Sequence, residues 1–274
     1  MTALVAERKN EMKCAVCQMQ IEPYKKENNY KKAEKYMEKA SNDNAHIIFF
    51  PEMSFTGFFM DTEQTGEWNC ETITYMREAA KKWNIAVGFG WVKNSKEEKA
   101  QNHYTIVSKE GEILGDYIKI HPFSFAGEDE YFQGGMQLVS FLLEDICVGV
   151  QICYDLRFPE AFQRLSKDCD LIVVPANWPQ KRREDWKCLL HARAIENQCY
   201  IVGVNCVGEM GGQQYSGDSV CFLPDGTLGS KAEAEEDLFY AEIKQDTKKY
   251  QTQFTTKKDR KNSLYMKWYR EMID

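Results

Sequence analysis

The feature that most constrains this chain is its alternation of short apolar runs with longer amphipathic ones, broken in two places by tight-turn signals. Residues 13–20, 46–50, 85–92 and 171–174 are short and apolar, as buried strands are. Residues 25–40, 72–82, 159–166 and 184–198 read as helices, and on the last of these Trp186, Leu189, Leu190 and Ala194 share one face. Strict βα alternation would close as a parallel, doubly wound sheet. Two hairpins argue against that. Residues 104–107 and 112–118 flank Lys109-Glu110-Gly111, and residues 138–143 and 146–152 flank Glu144-Asp145. Further strands are expected at 200–204 and 219–223, the latter turning at Pro224-Asp225-Gly226 toward a last strand near 238–243. Two mixed sheets in a layered α/β arrangement follow.

At 274 residues, 43% hydrophobic, the chain can bury one large core, and no internal linker, repeat or low-complexity stretch divides it. The expected domain spans residues 12–243. Residues 1–11 form a polar leader, with Met12 as a candidate native start. Residues 244–274 form a tail whose aromatic end, 264–272, is suited to docking on the core or on a partner subunit. A net charge of −7 argues against nucleic acid and anionic membrane as partners. No run approaches the apolar length of a membrane span and no signal-peptide core is present, so a soluble, cytoplasmic protein is expected. Ten cysteines scattered through strands and helices suit free thiols in a reducing compartment. Cys14-Ala15-Val16-Cys17 has metal-ligand spacing, but in a strand residues three apart point to opposite faces. No second CxxC or nearby His completes a set, so no metal site is expected.

Three segments share one grammar, an apolar strand followed at once by a reactive residue. The run His46 to Pro51 ends at Glu52, Gly115 to Ile118 ends at Lys119, and Val148 to Ile152 ends at Cys153. Ends of neighbouring strands converge on one rim of a sheet, where α/β enzymes build their sites. A thiol, an ammonium and a carboxylate meeting there supply a nucleophile, a charge stabiliser and a base. Taken singly, each has a plainer reading as a core thiol or a solvated loop charge. The competing Cys–His dyad would draw on His121 or His191, and Arg157 is expected to form a buried pair that holds the turn after Cys153.

Phe49-Phe50-Pro51-Glu52-Met53, Ile118-Lys119-Ile120-His121-Pro122 and the string from Ile152 through Cys153 to Glu160 resemble the three signature segments of the nitrilase (carbon–nitrogen hydrolase) superfamily, in order, across most of the chain. The resemblance implies a four-layer α-β-β-α sandwich with two mixed sheets. It implies Glu52 as general base, Lys119 as oxyanion stabiliser and Cys153 as nucleophile. Glu128, after Gly127, matches a second glutamate that positions the amide or assists proton traffic. The backbone N–H of Tyr154 is expected to join Lys119 at the oxyanion. No metal or organic cofactor is implied. The segments around residues 119–128, 176–179 and 192–197 are most similar to the ω-amidase group, which hydrolyses the terminal amide of 2-oxoglutaramate or 2-oxosuccinamate. Such a substrate calls for a small pocket with a cation for its far carboxylate. Phe58, Phe123, Tyr154, Asn177 and Trp178 are the expected lining, with Lys181, Arg182 or Arg183 as the cation and Arg183 preferred. The alternatives are an N-carbamoyl amino acid or amine amidohydrolase and, from another class, a catalytically silent scaffold. The resemblance also implies a homodimer packed through residues 158–165 and 186–197.

Overall fold

The first strand, Glu11–Gln18, is buried on both faces, and its side chains alternate between the two faces to lay down the layers of the protein. In the computed structural model, which describes residues 11–96, 98–233 and 235–273, Met12, Cys14 and Val16 face one apolar cluster, and Ala15 and Cys17 face another. Cys14 and Cys17 thus lie on opposite faces of one strand, as their spacing requires. Apart from Glu11, which opens this strand, the polar leader lies outside the described residues.

The first sheet runs in the order Asp237–Lys244, Glu11–Gln18, Ile47–Phe49, Ala86–Lys93, Gln101–Val107, Ile113–Ile118, with the short strand Gly66–Glu67 beside Ala86–Lys93. The second runs Leu228–Lys231, Val220–Phe222, Tyr200–Asn205, Leu171–Ala176, Ile146–Val150, Ser140–Leu143. Each is parallel at its centre and antiparallel at its margins, where the two expected hairpins sit. The sheets meet through Val16, Phe49 and Ile106 on one side and Val148, Val173 and Val202 on the other. Helices Lys26–Asn42 and Glu71–Trp83 cover the outer face of the first sheet with Tyr30, Ala33, Met37, Met76 and Ala80. Helices Pro159–Leu165 and Arg183–Asn197 cover the second with Phe162, Trp186, Leu190 and Ala194. The result is four layers, α-β-β-α. Each large apolar side chain so buried contributes about 1.5–3 kcal/mol, set against chain entropy of similar total size.

Two elements depart from the sequence expectation. The turn at Asp225-Gly226 leads first to the strand Leu228–Lys231 and only then to Asp237–Lys244. A separate hairpin, Val207–Met210 with Gln213–Ser216, turns at Gly211 and Gly212, both with positive φ. The tail is helical over Thr247–Gln253, Thr256–Asp259 and Asn262–Ile273. It lies against its own chain: Lys257 donates to the Ser166 carbonyl, Arg260 to Gln163 and Tyr269 to Glu160.

Candidate active site

Glu52 follows the central strand Ile47–Phe49, in a turn seated directly on the neighbouring strand at Gly90. Ser54 N–H donates to the Gly90 carbonyl at 3.0 Å, and Gly90 N–H donates to Ser54 Oγ at 2.9 Å. A Cβ at position 90 would lie 2.3 Å from the Met53 nitrogen, so glycine is what lets the turn approach. Lys119 follows Ile113–Ile118 in the same sheet, and Cys153 follows Ile146–Val150 in the facing sheet. Cys153 itself has φ 47° and starts a 3₁₀ turn, Cys153–Arg157. A β-carbon in this left-handed region is strained, and such strain is characteristic of functional turns.

These ends converge. Lys119 Nζ donates to Glu52 Oε1 at 2.9 Å and to Glu128 Oε2 at 2.8 Å, and all three side chains are at most 1% exposed. Glu128 Oε2 also accepts from Phe123 N–H at 2.6 Å, and Glu52 Oε2 from Asn177 N–H at 3.0 Å. Two carboxylates share one ammonium, so the cluster carries an excess of negative charge. Burial, followed by Glu52, raises the Glu128 carboxyl above its usual range, with Lys119 opposing. Burial pulls the Lys119 pKa down, but Glu128, Glu52 and Cys153 outweigh it and hold the group charged. The Cys153 thiol is pushed well above its ordinary pKa, first by burial and then by the charge of Glu52, with Lys119 opposing. The resting sulfur is therefore held as a thiol.

Asp155 locks this arrangement together. Wholly buried, its Oδ1 accepts from His121 N–H at 3.0 Å and His121 Nδ1 at 2.7 Å, and its Oδ2 from Tyr117 O–H at 2.8 Å and Ile152 N–H at 2.9 Å. It ties the Cys153 turn to the Lys119 strand across the two sheets. His121 is thereby committed to Asp155 and stacks on Phe158 at 3.8 Å, while His191 packs against Phe222.

A pocket of about 210 Å³ opens over Cys153 and Lys119. Of the expected lining, Phe58, Phe123, Tyr154, Asn177 and Trp178 are present. Asn177 is nonetheless engaged elsewhere: its Nδ2 donates to the Glu52 carbonyl at 2.6 Å and its Oδ1 accepts from the Cys206 thiol at 3.0 Å. It holds the Glu52 turn. Arg183 does not face the pocket and pairs instead with Asp218 through Nη2 at 2.6 Å and Nε at 3.2 Å. Besides Lys119, the cations that line the pocket are Arg182, Lys181 and Arg157. Arg182 lies over the Phe123 and Phe125 rings, at 5.2 and 5.1 Å. Arg157 does pair with a carboxylate, Asp185 at 2.7 Å, but the pair is partly exposed rather than buried, with Arg157 over Trp178. Tyr215 and Gln213 complete a wall from the hairpin that the sequence reading missed. The Gly211-Gly212 step is the turn signal that would have found it.

Comparison with known proteins agrees with this geometry. The family model described as carbon-nitrogen hydrolase matches residues 13–252. The 2-oxoglutaramate amidase of Bacillus subtilis (strain 168) is 33% identical over 229 residues, covering 82% of this chain and 88% of the relative. The omega-amidase YafV of Yersinia enterocolitica is 36% identical over 188 residues, 68% of this chain and 72% of the relative. Among solved structures, XC1258 of Xanthomonas campestris, a CN-hydrolase superfamily protein, superposes with a TM-score of 0.85 at 23% identity, covering 91% of this chain and 97% of that one. An amidase from Nesterenkonia sp. AN1 superposes with a TM-score of 0.84 at 21% identity, covering 96% and 99%. The four-layer fold, the motif order and these relatives make the chain a member of the carbon–nitrogen hydrolase family, a hydrolase of carbon–nitrogen bonds other than peptide bonds.

Proposed function

We propose that this protein is an ω-amidase-type enzyme, releasing ammonia from the terminal amide of 2-oxoglutaramate or 2-oxosuccinamate through a Cys153 thioester. The observation that carries the reading is the convergence of Cys153, Lys119, Glu52 and Glu128 at one end of an aromatic pocket that also carries Arg182 and Lys181. The buried cluster provides the chemistry, and Arg182, only partly buried, is suited to the far carboxylate of the substrate. The names of the Bacillus and Yersinia relatives favour the same substrate class.

In the first step the Cys153 sulfur forms a bond to the amide carbon as its proton passes to Glu52. The developing oxyanion is held by Lys119 and the Tyr154 N–H, and loss of one such donor reduces rate by about 10²–10³. Glu52 then gives the proton to the nitrogen, the C–N bond breaks and ammonia leaves. Water next attacks the thioester, Glu52 takes its proton, and the C–S bond breaks to release the acid and restore the thiol. Glu128, held by Lys119 and Phe123 N–H, fixes the ammonium and stands beside the incoming amide.

The same reading extends to the chain as a whole: a catalytic domain over residues 12–243, and a tail over 244–274 packed on the second helix layer. The ten free thiols support a reducing, cytoplasmic setting. A homodimer through the layer of Pro159–Leu165 and Arg183–Asn197 would include the tail, whose Leu264, Met266, Trp268 and Met272 are exposed. Light scattering at micromolar concentration tests it, and a monomer would refute it. The substrate is tested by ammonia release from 2-oxoglutaramate beside N-carbamoyl amino acids and simple nitriles, with Cys153→Ala as control. Cys153-dependent turnover confined to an N-carbamoyl substrate would leave the chemistry and remove the substrate.

A further inference from the structure

Asn102 lies on the strand Gln101–Val107, is 1% exposed, and belongs to none of the strand-end motifs. Its Nδ2 stands 2.8 Å from Glu52 Oε1 and 3.3 Å from Glu128 Oε1. Its backbone carbonyl accepts from Lys119 N–H at 2.9 Å. Among the described residues it is, besides Lys119, the one side chain that donates to both carboxylates. Its Oδ1, by contrast, is buried with no hydrogen-bond partner. A structural asparagine normally satisfies both ends of its amide. Here the reverse orientation would set Oδ1 against two carboxylates, so the carboxylates dictate the orientation and the acceptor goes unpaired.

We propose that Asn102 is a positioning residue that holds Glu52 as a proton acceptor aimed at Cys153, by placing one N–H between the two carboxylates. The inference rests on the reading of Glu52 as the acceptor of the Cys153 proton. The titratable groups facing Glu52 are Lys119, Glu128, Cys153, Cys206 and Tyr215. Of these only Lys119 is cationic, and it is shared with Glu128. Glu52 also accepts from Asn177 N–H and Glu128 from Phe123 N–H, but neither donor lies between the two carboxylates; without the Asn102 N–H there, the like charges of Glu52 and Glu128 favour taking a proton onto the pair. A proton held there blocks transfer from the thiol.

The test needs no substrate: the rate at which iodoacetamide alkylates Cys153, followed on the Cys153 peptide by mass spectrometry as a function of pH. In the unaltered protein the rate should rise through an acidic limb as the carboxylate pair gives up its shared proton. In Asn102→Leu, which removes the donor at similar volume, that limb should move to higher pH by about one unit. In Asn102→Asp the rate relative to the unaltered protein should increase as pH falls, because a protonated carboxyl at this position can again donate to Glu52. An unmoved limb in a folded Asn102→Leu overturns the proposal, as does an Asn102→Asp ratio that fails to rise on acidification. Should Asn102→Leu not fold, the Asn102→Asp ratio decides alone. A different failure separates the underlying reading: if Cys153 in the unaltered protein shows no acidic limb, Glu52 is not its base, and both readings fall.

Discussion

Replacing Asp155 by asparagine is the sharpest test of how the Cys153 turn is held. The carboxylate accepts four hydrogen bonds at 2.7–3.0 Å, two on each oxygen. An amide of the same shape must turn its NH₂ toward one of these pairs. Facing His121 it meets a backbone N–H and a ring nitrogen; facing Ile152 it meets another N–H, although the Tyr117 hydroxyl can rotate to accept. Two charge-assisted bonds are lost in the first case, and at least one, with a donor–donor contact, in the second. At about 1.5–3 kcal/mol per bond to a charged group, with partial relaxation, the expected loss is about 2–4 kcal/mol. For a chain of this size that corresponds to a fall in Tm of roughly 5–15 °C. Because Asp155 also sets Cys153 against Lys119, a displacement of order 1 Å should reduce kcat by about 10²-fold. Urea unfolding and amide turnover on the same preparation measure both quantities. An unchanged unfolding midpoint with unchanged kcat would refute the claim that Asp155 holds the turn. A lower midpoint with unchanged kcat would reduce its role to stability.

Cys153→Ala should abolish turnover and leave the unfolding midpoint within about 1 kcal/mol, since the substitution keeps the β-carbon and removes only a thiol. Glu52→Gln should reduce kcat by about 10²–10⁴-fold with Lys119 still in place, as expected for loss of a general base; an unaltered kcat would exclude Glu52 from proton transfer. Arg182→Gln should raise KM for a carboxylate-bearing amide by about 10–100-fold and leave a neutral amide unaffected, whereas Arg183→Gln, which breaks a partly buried pair with Asp218 outside the pocket, should leave KM unchanged. The opposite pattern in steady-state kinetics would restore Arg183 as the anchor. Gly90→Ala places a methyl 2.3 Å from the Met53 nitrogen and should cost about 2 kcal/mol or more while displacing Glu52, visible as a joint loss of unfolding midpoint and kcat.

The sequence pattern was enough to establish the mixed sheets, the covering helices and the two marginal hairpins, because short apolar runs mark strands buried on both faces and amphipathic runs mark the helices that cover them. Glu52, Lys119 and Cys153 were legible for a related reason: each stands where an apolar strand ends, and a strand end is a local signal. The hairpin at Gly211-Gly212 escaped because its strands are short and polar, although its turn was written plainly. Other features depended on contacts between residues far apart in the chain. Asn102 reads as an ordinary strand residue until folding sets it between Glu52 and Glu128, 50 and 26 positions away. Asn177 reads as a pocket residue, and 125 positions separate it from the Glu52 turn that it holds. Among Lys181, Arg182 and Arg183, composition offers no choice. Rotation about the helix axis over one residue turns Arg183 to Asp218 and leaves Arg182 over Phe123 and Phe125. Sequence alone thus determined which reactive groups the protein has and on which strands they lie. The tertiary structure decided which of them share protons and which cation the pocket receives, because hydrogen bonds and ion pairs act only over a few ångströms of space, whatever the distance along the chain.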